Sequence, residues 1–184
     1  YGATDVHSPN IDRLAARGVR FERAYCQIPL CSPSRTSFLT GRRPNTTGVV
    51  VNPDPKNPYA AHFRTHLPDT ITLPELFKRD GWFAARVGKI YHYGVPYDIG
   101  TSGLDDIASW DLTINPRGRD RELHDRIYSI APGDMVRSLG NPRSAFRWLA
   151  DDEGADADHT DGIGATEAVR LLERFRRESK PFFL

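Results

Sequence analysis

The chain is predicted to fold as α/β layers around a mainly parallel sheet, because short helical patterns alternate with short strand patterns along it. Three observations carry this. "TLPELFKRDG" runs directly into "WFAARVGK", "GATEAVRLLERFRRESK" runs directly into "PFFL", and "SPNIDRLAARG" is followed by "VRFERAY". In each case a helix signal is followed at once by a strand signal.

The elements follow in order. Ser8 is placed to cap the first helix, Pro9 fits its first position and Gly18 its stop. Ile11, Leu14 and Ala15 fall on one face. Val19 and Phe21 then alternate with charges, as in a strand covered on one side. In "SPSRTSFLTG", Ser32 is expected to cap, Pro33 to start and Gly41 to stop a helix of about two turns. Residues 44–70 hold several Pro and Asn and little periodicity, which predicts a long surface loop of a kind that often carries function. Thr72 and Glu75 have capping-box spacing, Leu73, Leu76 and Phe77 form an apolar face, and Gly81 ends that helix. Phe83, Ala85 and Val87 alternate, so a strand is expected to end near Gly88 and Lys89. Residues 93–159 are rich in Gly, Pro, Asp and Arg, with only local helix signals such as "SAFRWLA". The clearest helix follows, with Ala165, Ala168, Val169, Leu172 and Phe175 on one stripe, and "PFFL" opens a buried strand. There are no internal repeats or low-complexity tracts.

A length of 184 residues suffices for one domain with a core. With 25 basic and 24 acidic residues the net charge is +1, so no face is forced to be strongly basic and neither nucleic acid nor a membrane surface is an expected partner. No apolar run approaches the ~20 residues that span a bilayer. The opening "YGATDVHSPN" is not a signal peptide. It has no Met and reads as the inside of a turn, and the closing "KPFFL" lacks a final turn. Both ends therefore read as cut, and a longer protein is expected.

Two cysteines are too few for a disulfide framework. Cys26 reads as a small buried apolar residue, and Cys31 has the same ordinary reading; a Cys26–Cys31 disulfide stays open. The setting of Cys31 favours another reading. It stands at a helix mouth, with Arg35 one turn on and able to reach back to whatever residue 31 carries. Free N–H groups of the first turn and the helix dipole favour an anion there. Lys89 lies at the expected carboxyl end of a strand, where α/β sheets build their sites, with His92 three residues on. Taken alone, such a Lys is more often a solvated charge and such a His more often structural. "HFRTH" spaces His62 and His66 by four, but Phe63 stands where a zinc-protease helix needs Glu, so zinc is rejected and the pair is left as possible substrate contacts. Arg42 and Arg43 read as a solvated basic pair ending a helix. "DDEGADADHTDG" lacks EF-hand register and reads as a solvated acidic loop. "NTT" makes Asn45 a glycosylation acceptor only in a eukaryotic secretory protein.

"CSPSRTSFLTG" resembles the sulfatase signature, Cys-x-Pro-Ser-Arg followed by Thr-Gly, with Cys31, Pro33, Ser34, Arg35, Thr40 and Gly41 all in place. The longer "SPNIDRLAARGVRFERAYCQIPLCSPSRTSFLTGRRPNTTG" resembles the iduronate-2-sulfatase-like branch, as do "TLPELFKRDGW", "VGKIYH" and "TEAVRLLERFRRESKPFFL". The resemblance covers most of residues 1–92 and 160–184 and is poor over about 93–159. It implies an alkaline-phosphatase-like α/β sandwich, with residues 1–184 as the N-terminal part of its catalytic domain and 44–70 and 93–159 facing substrate. It implies hydrolysis of a sulfate ester on a sugar acid or glycan, as in glycosaminoglycan degradation. Cys31 would be converted to formylglycine by a maturing enzyme that reads a signature shaped by Pro33, Ser34, Thr40 and Gly41. The hydrated aldehyde has two hydroxyls, one to attack sulfur and one to expel sulfate afterwards, which a thiol cannot do. Residue 31 would also be one ligand of Ca²⁺ or another divalent cation. Arg35 would stabilise the diol, Lys89 would hold the sulfate as a point charge, and His92 would orient the diol or take its proton.

The family pattern also has parts that this chain lacks. A pair of metal-binding Asp residues belongs just upstream, and further metal ligands, a His and a Lys belong beyond Leu184. The isolated chain is therefore expected to bind metal weakly, to be inactive and, with sheet edges exposed, to be poorly soluble. The resemblance implies a periplasmic, secreted or lysosomal full-length protein. Two rival readings remain: a phosphonate or phosphate ester hydrolase with the same signature, and a non-catalytic relative whose Cys31 stays a thiol.

Overall fold

The structure is a computed structural model and describes residues 2–53, 62–130, 146–149, 151 and 153–184. In chain order its elements are α1 (Pro9–Arg17), α2 (Cys31–Thr40), α3 (Pro44–Thr47), α4 (Leu73–Arg79), β1 (Phe83–Val87), β2 (Leu112–Ile114), α5 (Arg119–Glu122), β3 (Tyr128–Ile130), β4 (Phe146–Trp148), α6 (Thr160–Glu178) and β5 (Phe182–Phe183). The expected α/β architecture is present. β1 is the middle strand of a parallel sheet of order β2-β1-β5, with Ala85 opposite Leu112 and Ala84 opposite Phe183.

β1 is buried on both faces, as parallel sheets are. On one face Ala84 packs with Leu39, Val49, Phe63, Tyr91 and Trp110. On the other, Ala85 packs with Leu171 and Phe175 of α6. Both alanines are fully buried, and their small side chains let the flanking layers close onto the strand. α4 starts as expected, with the Thr72 hydroxyl accepting the Glu75 N–H at 3.3 Å. Of its expected face only Phe77 turns inward, 4.9 Å from the rings of Trp82 and Phe183, while Leu73 and Leu76 stay exposed.

Several expectations are corrected. α6 is a helix, but Val169 and Leu172 face solvent and Leu171 joins Phe175 inside. The sheet chooses that face: Phe175 stacks on Phe182 at 4.6 Å and meets Phe83 at 5.4 Å. α1 spans its expected residues, but the Ser8 hydroxyl donates to the Asp12 side chain at 3.1 Å rather than capping the helix, and Ile11 and Leu14 are exposed. Residues 19–25 form no strand, and Val19 and Phe21 are exposed; no described strand lies beside them to supply a hydrogen-bonding ladder. The expected loop 44–70 is partly core: it contains α3, a 3₁₀ turn at Phe63–Thr65 and the buried Thr47, Val49 and Phe63. Its residues 54–61 lie outside the described residues. "SAFRWLA" holds a strand rather than a helix: β4 pairs antiparallel with β3, and that pairing outweighs a weak local preference. Residues 144, 145 and 150 of that stretch lie outside the described residues.

The acidic loop is not simply solvated. The Asp151 carboxylate is 1% exposed, accepts from Arg119 Nε at 2.6 Å and lies 3.4 Å from His159 Nε2. Arg119 holds that carboxyl below its ordinary range. Asp152 lies outside the described residues. Among the described residues no helix is long and apolar enough to cross a membrane.

Candidate active site

α2 begins at Cys31 itself, so Ser32 is not its cap. The N-cap is Leu30, in extended conformation, and Ser32 and Pro33 are buried inside the first turn. The Ser32 N–H donates to Asn52 Oδ1 at 2.9 Å, and the Ser34 N–H reaches Leu30 O at 3.2 Å. Pro33 has no N–H to give. The donors of this turn are thus largely committed to the fold rather than held for an anion, which corrects the expectation of free first-turn groups. What remains is the favourable end of the helix dipole and an exposed residue 31. At the other end, Thr40 Oγ1 donates to Thr36 O at 2.7 Å, and Gly41 closes the helix. Pro33, Ser34, Thr40 and Gly41 therefore all lie within or at the end of α2. Both thiols are free and both are exposed, which corrects the buried reading of Cys26.

Arg35 does not point its hydrogen bonds back at residue 31. One guanidinium nitrogen donates to Lys89 O at 2.9 Å and to Ile90 O at 2.7 Å, tying α2 to the chain that leaves β1. That tie brings Lys89 alongside. Its ammonium donates to Tyr93 O at 2.7 Å and lies 5.1 Å from the centre of the Tyr93 ring. Burial lowers the Lys89 pKa, and Arg35 lowers it further, while residue 31 and Asp98 act the other way. His92 is held down to about 4, first by burial and then by the charges of Lys89 and Arg35, with Asp98 opposing. The imidazole is therefore neutral at pH 7. Its Nδ1 is buried and has no hydrogen-bond partner among the described residues. Cys31, Arg35, Lys89 and His92, distant in sequence, thus share one partly buried, cationic setting. It can attract an anion, hold it against residue 31 and accept a proton from a neighbouring hydroxyl.

Two side chains here escaped the sequence reading. Asn52 fastens the first turn of α2, and no local pattern marks a residue that caps a helix behind it in the chain. Asp98 accepts the Gly94 N–H at 2.8 Å and is the carboxylate that acts on both Lys89 and His92. The weaker candidates lie elsewhere. His62 bonds with Asp105 O at 3.3 Å and accepts the Arg64 N–H, and His66 packs on Gly48, so both hold the fold together. Arg42 and Arg43 are exposed and border a groove of about 480 Å³ whose lining includes none of Arg35, Lys89 and His92.

The residues fit a formylglycine at position 31, since that position is exposed and flanked by cations suited to an anionic substrate. They do not by themselves fit a metal ion. Among the described residues no three His, Cys, Asp or Glu side chains come together as a set of ligands.

Comparison with known proteins identifies the family and the fold. The family described as Sulfatase matches residues 1–184. Over the whole chain the sequence is 32% identical to iduronate 2-sulfatase of Mus musculus and 33% identical to that of Homo sapiens. The chain spans 30% of the length of each. It is 41% identical to N-acetylgalactosamine-6-sulfatase of Canis lupus familiaris, again along its whole length and 35% of that protein. Among solved structures, the PsFucS1 sulfatase from Pseudoalteromonas sp. superposes with a TM-score of 0.52 at 21% identity, covering 96% of this chain and 37% of that one. The α/β fold described above is therefore shared with that protein.

Proposed function

The chain belongs to the sulfatase family, and from that premise we propose that the full-length protein hydrolyses sulfate esters of a sugar acid or glycan. The observation that supports this reading is the exposed residue 31 at the start of α2, which interacts electrostatically with Lys89, itself tied to Arg35 and close to a neutral His92. A formylglycine hydrate at residue 31, made by a sulfatase-maturing enzyme, would supply both a nucleophile and a means of releasing sulfate. Lys89 contributes a point charge to hold the sulfate. His92, neutral at working pH, takes a proton through an imidazole nitrogen or orients the reacting hydroxyl. Arg35 contributes positive charge and fixes the backbone at Lys89 and Ile90 against α2. Any Ca²⁺ or other divalent cation would draw most of its ligands from outside residues 1–184. The names of the relatives above support a sulfated carbohydrate as substrate, and we propose a secreted, periplasmic or lysosomal setting for the full-length protein.

Two measurements on the full-length protein test the proposal. Mass spectrometry of the peptide carrying residue 31 should show a loss of about 18 Da relative to cysteine, as replacing CH₂SH by CHO requires. Aryl sulfate should be turned over faster than aryl phosphate. A plain, alkylatable thiol in protein from a host with the maturing enzyme overturns the formylglycine mechanism, and a preference for phosphate overturns the substrate class.

A further inference from the structure

Lys89 and His92 lie beyond the end of β1, on a stretch without regular hydrogen bonding, so side chains must hold that stretch in place. The stretch leaves β1 through Gly88, whose φ of +72° is left-handed and suits glycine. Arg86, the last residue but one of β1, is 3% exposed and faces the 8% exposed carboxylate of Asp105. Its Nε donates to Asp105 Oδ2 at 2.7 Å, and one terminal nitrogen donates to the same oxygen. The other terminal nitrogen donates to Gly88 O at 2.9 Å and to Asn115 Oδ1 at 2.8 Å. Asp105 Oδ1 in turn accepts from Trp110 Nε1 at 2.9 Å and from the Asp106 N–H at 3.0 Å. Just before it, the Leu104 N–H donates to His92 O at 2.9 Å. Gly103 leaves no room for a side chain, since a Cβ there would stand 2.6 Å from His92 O.

We propose that Arg86 and Asp105 are positioning residues: one buried ion pair grips the Gly88 carbonyl on one side of Lys89 and, through Leu104, the His92 carbonyl on the other. The inference rests on the reading of the site given under Proposed function and adds what aims its two basic groups. Burying a charge pair is a poor way to gain stability, because apolar substitutes of similar volume often serve as well. Holding two backbone points in register is a task that apolar substitutes cannot do.

That contrast supplies the test, made on the full-length, matured protein. The double variant Arg86→Met, Asp105→Asn removes the charges and leaves Trp110 its acceptor. Its urea midpoint should fall, because Gly88 O and Asn115 Oδ1 lose their donor, but in the folded protein kcat and kcat/KM for an aryl sulfate should fall together by about 10²-fold, as a misplacement of about 1 Å can cause. The imidazole resonances of His92, read without substrate at pH 7, should shift. Arg86→Lys keeps a charge against Asp105 but cannot also span Gly88 O and Asn115, so it should not restore the rate. Wild-type kcat and an unmoved His92 spectrum in the folded double variant overturn the proposal. Where the double variant does not fold, Arg86→Lys decides, and full activity in it has the same meaning. Absence of aryl sulfate turnover in the wild type strikes the reading of the site instead, and the His92 spectrum still reports on the positioning.

Discussion

Arg35→Ala should weaken the fold and release His92 at the same time. The side chain joins α2 to the backbone after β1 by hydrogen bonds of 2.9 and 2.7 Å to Lys89 O and Ile90 O. Hydrogen bonds from a charged donor contribute about 1.5–3 kcal/mol each, and the site is open enough for water to replace part of that, so a total loss of about 2–3 kcal/mol is expected. Alanine keeps the helix, so the loss belongs to the tether and not to α2 itself. The second effect is electrostatic. Burial, Lys89 and Arg35, in that order, hold His92 down to about 4 from its ordinary 6.5. With one cation gone the midpoint should rise but remain below 6.5, because burial and Lys89 persist. Urea unfolding of the full-length protein measures the first effect, and NMR titration of the His92 imidazole measures the second. An unchanged urea midpoint together with an unchanged His92 midpoint would refute this account of Arg35.

Three further outcomes are expected. Asn52→Ala should cost about 0.5–2 kcal/mol by removing the acceptor for the Ser32 N–H, whereas Asn52→Asp should keep that stability. The aspartate should raise KM for an anionic ester by placing a negative charge beside residue 31; equal KM values in the two variants would count against Asn52 lying at the site. Phe175→Ala should cost about 3–5 kcal/mol in chemical denaturation, because the ring is 2% exposed and packs on Phe83 and Phe182. The last concerns acid. Burial pushes the carboxyls of Asp106 and Glu75 up, but hydrogen bonds from Arg64, joined by Ser109 and Arg79 respectively, outweigh it and hold both below their ordinary values. Their contribution is complete above the unfolded pKa values and lost as pH falls through the lowered folded ones, so urea midpoints should drop below about pH 5. Arg64→Met should flatten that acid limb, and an identical slope in the variant would show that the ion pairs are not its source.

Legibility in this chain follows the range of the interaction. The α4–β1 unit could be read because its signals are local: Thr72 caps a helix three residues away, and Gly81 ends it. The extent of α6 was readable for the same reason, but not its buried face. Leu171 and Leu172 are equal candidates until Phe83 and Phe182 are set against them. Residues 19–25 show the converse, since an alternating pattern makes a strand only where another strand is available to pair with it. In the candidate site, Cys31, Arg35, Lys89 and His92 were found through short motifs. Asn52 and the Arg86–Asp105 pair were not, because those contacts span 20 and 19 residues of chain with no periodic signal between.

From sequence alone came the layered α/β class and the helix starting beside Cys31, since each depends on neighbours within a turn or two, while Lys89 and His92 came from resemblance to a family motif. Tertiary structure decided which way those groups face. Arg35 spends its hydrogen bonds on the backbone at Lys89 and Ile90, and a buried arginine in β1 holds the turn between strand and site. The physical reason is that a guanidinium takes whatever acceptors packing brings within about 3 Å, and packing is a property of the whole chain.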